Sequence, residues 1–443
     1  MCLHASTDQR KTMYMRNQKI FSYSLLCAAL MATCTTSAVA QDGKVRSNGL
    51  GLISADGETS INLTGRLHFD FRDFKSDFAN GKNVNTGTAK YGDTFDMRRA
   101  RIGFQGNLVK DLSYEVVFNA TTSDSTTLDT GWVNYTLSAP VQFRLGKFKQ
   151  PFNLEELTSS NNIDFMERSY VNQVAPGKKL GMMVHGAPMA GLNYGLSIFQ
   201  EGTAVSTSTG NFQTAARVAF DIAKLADIKD SVVHVGLAGV NGKYDSTDGK
   251  ILTVRSLGRG IEPFAGAASG TFSATNNLEV TKNIQGLELA YANGPFKFQT
   301  ETASTSFTGN NNGLSLDGNI KTSYVEVLYN ITGEKWSDSY GNGIFTSIKP
   351  LSAFKSGQGK GAWQVGFRTS TYDGSDWKTA APSATTNSLK GTTNTLGLTW
   401  FANQNMRVML NHSITSFDNA FTPSGLNKAD QETTTALRVQ VNF

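Results

Sequence analysis

Residues 61–72 read INLTGRLHFDFR, and the fold is decided there. Ile61, Leu63, Gly65, Leu67, Phe69 and Phe71 fall on one face of an extended chain, and Asn62, Thr64, Arg66, His68, Asp70 and Arg72 on the other. Successive side chains of a strand point to opposite sides, so one face of this strand meets an apolar medium and the other meets water. A soluble antiparallel sheet does this once or twice. Repetition along the whole chain, in segments of about ten residues, marks a barrel that crosses a membrane on its strands.

Working outward, sixteen such segments can be placed, near 60–72, 94–107, 112–120, 129–138, 141–149, 180–186, 193–199, 214–221, 231–239, 283–292, 295–304, 321–331, 361–371, 392–401, 406–416 and 434–443. Their connections alternate between long (73–93, 150–179, 200–213, 240–282, 305–320, 372–391, 417–433) and short (Lys110-Asp111, Ala139-Pro140, Asn293-Gly294). In a barrel with both ends on one side of the membrane, long loops face out and tight turns face in. One connection breaks the rule. Residues 332–360 are long where a turn belongs, so this segment either folds back into the lumen or hides a strand pair. An even strand number closes the sheet and removes the unpaired edges that lipid would not tolerate. The last strand alternates Thr435, Leu437, Val439, Val441 and Phe443 with Ala436, Arg438, Gln440 and Asn442. Its terminal aromatic residue resembles the insertion signal of bacterial outer-membrane barrels. The expected fold is thus all-β, a transmembrane antiparallel barrel of about sixteen strands with inward-folded constriction loops.

Composition agrees. Of 443 residues only 17% are charged, against 43 Gly and 9 Pro, whereas soluble domains carry roughly 25% charge. Phenylalanine, tyrosine and tryptophan number 27, 13 and 5, which argues against disorder. After residue 40 no apolar run reaches the roughly 18 residues of a membrane helix. The N-terminus reads as an export signal that begins at Met15, MRNQKIFSYSLLCAALMATCTTSAVAQ. It has basic Arg16 and Lys19, an apolar core, and a small-residue cleavage site at Ala38-Val39-Ala40. The domain expectation is a signal peptide over 1–40, a short periplasmic segment over 41–59 and a barrel over 60–443. Cys2, Cys27 and Cys34 all precede the cut, which removes disulfides, zinc-thiolate sites and cysteine nucleophiles. Residues 1–40 also carry a net +3 of the chain's +5, and the remaining +2 gives no case for nucleic acid.

Strand parity locates the charge. If the apolar face of each strand meets lipid, Arg66, Arg72, Arg99, Arg101, Arg144, Arg217, Lys297, Arg368, Arg407 and Arg438 face the lumen. Facing them are Asp70, Glu115, Glu288, Glu301 and Glu326, ten cations against five anions. Paired arginines would merely brace the wall. The surplus points to an anion path, because guanidinium forks suit oxyanions and rings of Arg and Lys select anions in pores. A sixteen-stranded wall encloses a channel too wide to select small solutes, so a loop must narrow it. The segment GKFKQPFNLEELTSSNNIDFMERSYVNQVAPGKKLG (146–181) is the candidate, with Lys147, Lys149, Arg168, Lys178 and Lys179 beside Glu155, Glu156, Asp164 and Glu167. Arg255 and Arg259 sit in a second stretch, ILTVRSLGRG, that could also dip inward. No His-Glu-x-x-His, Gly-x-Ser-x-Gly or P-loop motif is present, and His68, His185, His234 and His412 are scattered, so neither enzyme, cofactor nor metal site is expected.

Three stretches carry a family resemblance: FDMRRARIGFQGNLVKDLSYEVVFNA (95–120), WVNYTLSAPVQFRLGKFKQPFNLEELTSSNNIDFMERS (132–169) and APGKKLG (175–181). LYNITGEKW (328–336), GAWQVGFRTS (361–370) and RVQVNF (438–443) add to them. Together they resemble the phosphate-selective porin O and P family of Gram-negative outer membranes. The resemblance implies a homotrimer of sixteen-stranded barrels in outer-membrane lipid, with basic residues that pass inorganic anions such as phosphate. It places Arg99, Arg101, Lys147, Lys149 and Arg168 on the family's basic blocks, and it implies that 332–360 enters the lumen. The expected function is a passive anion-selective porin. A general porin for small organic nutrients and an exported structural or adhesive β-protein are the alternatives.

Overall fold

A computed structural model describes residues 44–45, 50–76, 93–121, 127–201, 211–244, 252–266, 279–311, 314–379, 387–422 and 429–443. The expected signal peptide lies outside the described residues, as does part of the segment 41–59. Sixteen long strands form the wall: β1 (Ser60–Ser76), β2 (Thr94–Val109), β3 (Leu112–Asn119), β4 (Thr127–Thr136), β5 (Gln142–Lys149), β6 (Lys178–Met189), β7 (Leu192–Gln200), β8 (Phe212–Asp221), β9 (Ser231–Tyr244), β10 (Glu279–Asn293), β11 (Phe296–Asn311), β12 (Leu314–Asn330), β13 (Ala362–Asp373), β14 (Lys390–Phe401), β15 (Met406–Phe421) and β16 (Ala429–Asn442). Each pairs antiparallel with its neighbour in sequence, and β16 closes on β1 with Leu437 opposite Phe71. At the seam Gly65 and Phe443 exchange backbone hydrogen bonds. A Cβ at Gly65 would stand 2.4 Å from the Phe443 ring, so the terminal aromatic lies flat on a glycine. Below the end of β16, the short strand Gly51–Ile53 covers the exposed start of β1.

The wall is uneven. Strands β3, β4, β5, β7 and β8 have 8–10 residues, whereas β10, β11 and β12 have 15–17. The tall side also reverses its polarity part-way up. Near the short turns, β12 turns Val325, Val327 and Tyr329 outward and Glu326 and Asn330 inward. Near the long loops it buries Leu316, Ile320 and Tyr324 inside and leaves Lys321 exposed outside. β10 does the same, with Leu287, Leu289 and Tyr291 outward below and Val280 and Ile284 inward above. The lower band faces lipid. The upper part faces water outside and a packed interior inside. This corrects the expected long connection over 305–320, since β11 runs to Asn311 and β12 starts at Leu314.

Three inserts fill the interior. From the long-loop end, 150–177 folds inward between β5 and β6. It buries Phe152, Tyr170, Val171 and Val174 against Ile284, Phe307 and Tyr324 of the tall wall. From the same end, Leu252–Val254 pairs with Phe264–Gly266, and Val254, Leu257 and Phe264 join that core. From the short-turn end, the segment between β12 and β13 enters the lumen, as expected, and buries Trp336, Phe345 and Ile348 beside Leu154 and Phe165. The tall half of the barrel is therefore plugged from both ends, and open space remains along β1–β8.

Candidate functional site

The insert over 150–177 is held by its own polar groups. Its first short helix, α1 (Leu154–Leu157), begins at Asn153, which sits at φ 50° and accepts from the Glu156 amide. The Leu154 and Glu155 amides donate to the Glu301 carboxylate of β11 at 2.8 and 2.9 Å, which satisfies two of the orphan donors of a helix start. At the other end Lys149 donates to the carbonyls of Glu156 and Thr158, and Arg168 donates to Glu155 O and Thr158 O. A second short helix, α2 (Tyr170–Val174), is pinned by Ser370 accepting from the Tyr170 amide.

The wall arginines divide in two. One set clamps the insert. Arg368 reaches Glu155 at 3.0 Å, Lys297 reaches Asp164 at 2.5 Å, and Arg407 donates to Ile163 O at 3.0 Å. Arg438 is fully buried, meets Asp70 through two bonds of 2.6 and 2.7 Å, and donates to Met166 O. Arg72 shares Asp70 and meets Glu167 at 3.0 Å. For Arg72, Arg368 and Arg438 the bracing role prevails, because the acids of the insert supply their partners. Arg217 is taken up in the same way by Glu288, at 2.8 and 2.7 Å.

The other set surrounds a cavity of about 770 Å³ on the β1–β8 side. Arg66, Arg99, Arg101 and Arg144 line it from the wall, together with the Glu288-paired Arg217, and Arg168 from the insert with Lys149 and Lys178 at its two flanks. Asp129, Glu115 and Glu156 are the acids among the lining residues. Asp129 holds Arg101 at 3.0 Å and also Lys178, and Arg144 stacks 4.2 Å over Trp132. Arg255 and Arg259 border a smaller cavity of about 190 Å³ towards the long loops, together with Arg98, Arg99 and Arg168. Lys147 and Lys179 lie off both cavities. Lys147 donates to Leu128 O at 2.9 Å, and Lys179 meets the Glu201 carbonyl and carboxylate.

Strict parity misses Arg98 and Asp129, and both misses have one cause. Where His68 opposes Arg99 but Phe69 opposes Met97, Arg98 is left over as a β-bulge, and it joins Arg99 on the lumen side. Where Val117 opposes Thr130 but Phe118 opposes Leu128, Asp129 is the extra residue. Adjacent arginines inside an alternating strand were the available signal, since one of the two would otherwise face lipid. Arg98 meets Glu167 with Nε at 2.9 Å and Nη2 at 3.0 Å. Burial alone would raise the Glu167 carboxyl. The guanidiniums of Arg98, Arg259 and Arg72 outweigh it and hold that carboxyl well below the usual carboxylate range.

Residues 61–443 match the family described as phosphate-selective porin O and P. The chain belongs to that family. Porin O of Pseudomonas aeruginosa is 29% identical over 419 residues, which cover 88% of this chain and 91% of the relative. Among solved structures, an anion-selective porin from Comamonas acidovorans superposes with a TM-score of 0.52 at 14% identity, covering 87% of this chain and all of that one. In-vitro folded OmpT of Vibrio cholerae, in a trimer form, gives 0.52 at 11% identity, with 87% of this chain and all of that one covered. At such identities these two likenesses speak for the fold alone. This member is an outer-membrane anion porin, a closed barrel with an interior cavity lined by more cations than acids. The long loops accordingly face outward from the cell, and the short turns face the periplasm.

Proposed function

We propose that this porin passes phosphate and related oxyanions passively, and that Arg66, Arg99 and Arg101 form the wall on which they are held. One observation carries the proposal. Arg66 and Arg101 stand directly opposite each other on β1 and β2, and the buried Nε of each has no hydrogen-bond partner. Like charges directly opposed across strands repel. A tetrahedral oxyanion between them would relieve the repulsion and take the spare donors. Arg99 lies alongside, and among the described residues its side chain has one hydrogen-bond partner, the His68 ring at 3.4 Å; Lys149 at the end of β5 and Arg168 of the insert line the same cavity. Asp129 already neutralises part of the field, which keeps residence short, as conduction requires.

A planar bilayer tests the reading. Under a KCl gradient the reversal potential should be anion-selective, and added phosphate should block chloride current. Arg99→Gln, Arg101→Gln or Lys149→Gln should each raise the half-blocking concentration about tenfold, the equivalent of about 1.4 kcal/mol. Anion selectivity without block would leave a general anion pore, and a cation-selective potential would sink the proposal. We further propose that the barrels assemble as homotrimers, as in the Vibrio cholerae trimer form. The mass of the detergent-solubilised complex checks this.

A further inference from the structure

Four guanidiniums converge on one carboxylate. Glu167 receives Arg98 at 2.9 and 3.0 Å, Arg72 at 3.0 Å, Arg438 at 3.1 Å and Arg259 at 3.7 Å. These four are not equivalent. The side chains of Arg72 and Arg438 are 4% and 0% exposed and are locked to Asp70 as well. Those of Arg98 and Arg259 are 21% and 29% exposed and border the small outer cavity, as does Glu167 itself. That cavity shares Arg99 and Arg168 with the larger one below it. Glu167 therefore sits beside Arg99 and Arg168, the two cations that also line the cavity of the Arg66–Arg101 wall.

We propose that Glu167 is a tethered competitor for the permeating oxyanion. This rests on the anion-channel reading above. A carboxylate presents a guanidinium with the same two-oxygen fork as phosphate. Held on the insert, it competes at an effective concentration of at least about millimolar. Without it, Arg98 and Arg259 would face the path uncompensated and hold a multivalent anion too long for it to leave. With it, an arriving oxyanion exchanges for Glu167 on the exposed pair, Arg98 and Arg259. The buried pair, Arg72 and Arg438, keeps the insert in place. Glu167 thus sets affinity and residence time, a role separate from the clamping done by Glu155 and Asp164.

The test is Glu167→Gln in the full-length porin reconstituted in a planar bilayer, with inorganic phosphate as the probe. The half-blocking phosphate concentration should fall about tenfold and individual block events should lengthen, with no rise in open-channel chloride conductance. Adding Arg98→Gln to that variant should cancel the gain. An unchanged block, or a weaker one with raised conductance, would show Glu167 to be only a clamp. If Glu167→Gln does not yield a folded, heat-modifiable barrel, Glu167→Asp keeps the charge and draws the carboxylate back by one methylene. A smaller gain in the same direction is then expected, and none would overturn the proposal. A wild-type channel without anion selectivity removes both readings, whereas an anion-selective wild type whose block no Glu167 variant tightens removes this one alone.

Discussion

Arg438 and Arg101 are the same residue type on the same lumen face, and their surroundings give them different work. Arg438 is fully buried, with both Asp70 oxygens, a Glu167 oxygen and the Met166 carbonyl as partners. Arg438→Ala leaves Asp70 as a buried charge short of a partner, a loss of about 3–5 kcal/mol. The variant's unfolded band should appear at lower temperature in a heat-modifiability gel. Arg101 has an 18% exposed side chain and one acid, Asp129. Arg101→Gln should leave that temperature nearly unchanged and alter only the block. Acid provides a second check. A carboxyl held low by neighbouring cations contributes stability that is complete above its unfolded value, roughly 4.3, and is lost as pH falls through the lower folded value. Docking of the insert through Glu167 should hold from neutral pH down to about 5 and fail only below about 4. Ion selectivity measured against pH would expose an earlier loss.

At the scale of the strand, alternation holds but its sense does not. Tyr291, Tyr329, Trp363 and Trp400 form an aromatic girdle near the turns, and Leu287, Val325, Phe367 and Leu396 mark the upper limit of the outward apolar band. Above that line the apolar face lies inside. Leu398→Arg, within the band, should cost about 2–4 kcal/mol, whereas Thr308→Arg, on the exposed upper face of β11, should cost close to nothing. Unfolding of the two variants from lipid vesicles in urea measures the difference. Equal costs would mean that lipid reaches the upper wall. The inversion also explains why 305–320 resembles a loop in sequence. Ser306, Thr308, Ser315 and Asn319 face out, and the apolar Phe307, Leu316 and Ile320 that would mark a lipid-facing strand point the other way, into the core that also holds Leu257 and Phe264.

The whole molecule is a barrel narrowed by filling. Two inserts enter from the long-loop end and one from the periplasmic end, and the 150–177 insert meets the periplasmic one where Leu154 and Phe165 pack near Trp336 and Phe345. They fill the side of β10–β12 and leave the larger open cavity along β1–β8, where Arg66, Arg99, Arg101 and Arg144 share its lining with Lys149 and Arg168. Shortening 334–350 to a tight turn should raise single-channel conductance severalfold and reduce anion selectivity, because the added cross-section would be lined by Lys297, Glu288 and Glu326 rather than by surplus cations. An unchanged conductance would show that the lower insert does not bound the path.

By itself, the sequence determined the strand count, the closure, the side of each strand that meets lipid and the excess of lumen cations. These follow from period-two alternation and connection length, which are local quantities. Sequence reading also placed Arg66, Arg99 and Arg101 on lumen positions and Lys149 and Arg168 in the segment 146–181, and all five line the larger cavity. The tertiary structure decided which cations are taken up by buried acids. Arg72, Arg368 and Arg438 are committed to Asp70, Glu155 and Glu167, partners as far as 368 residues away in the chain. It also decided where alternation breaks, because the bulges at Arg98 and Asp129 depend on how neighbouring strands align. A charge is legible in one residue, whereas its compensation depends on what the fold sets against it.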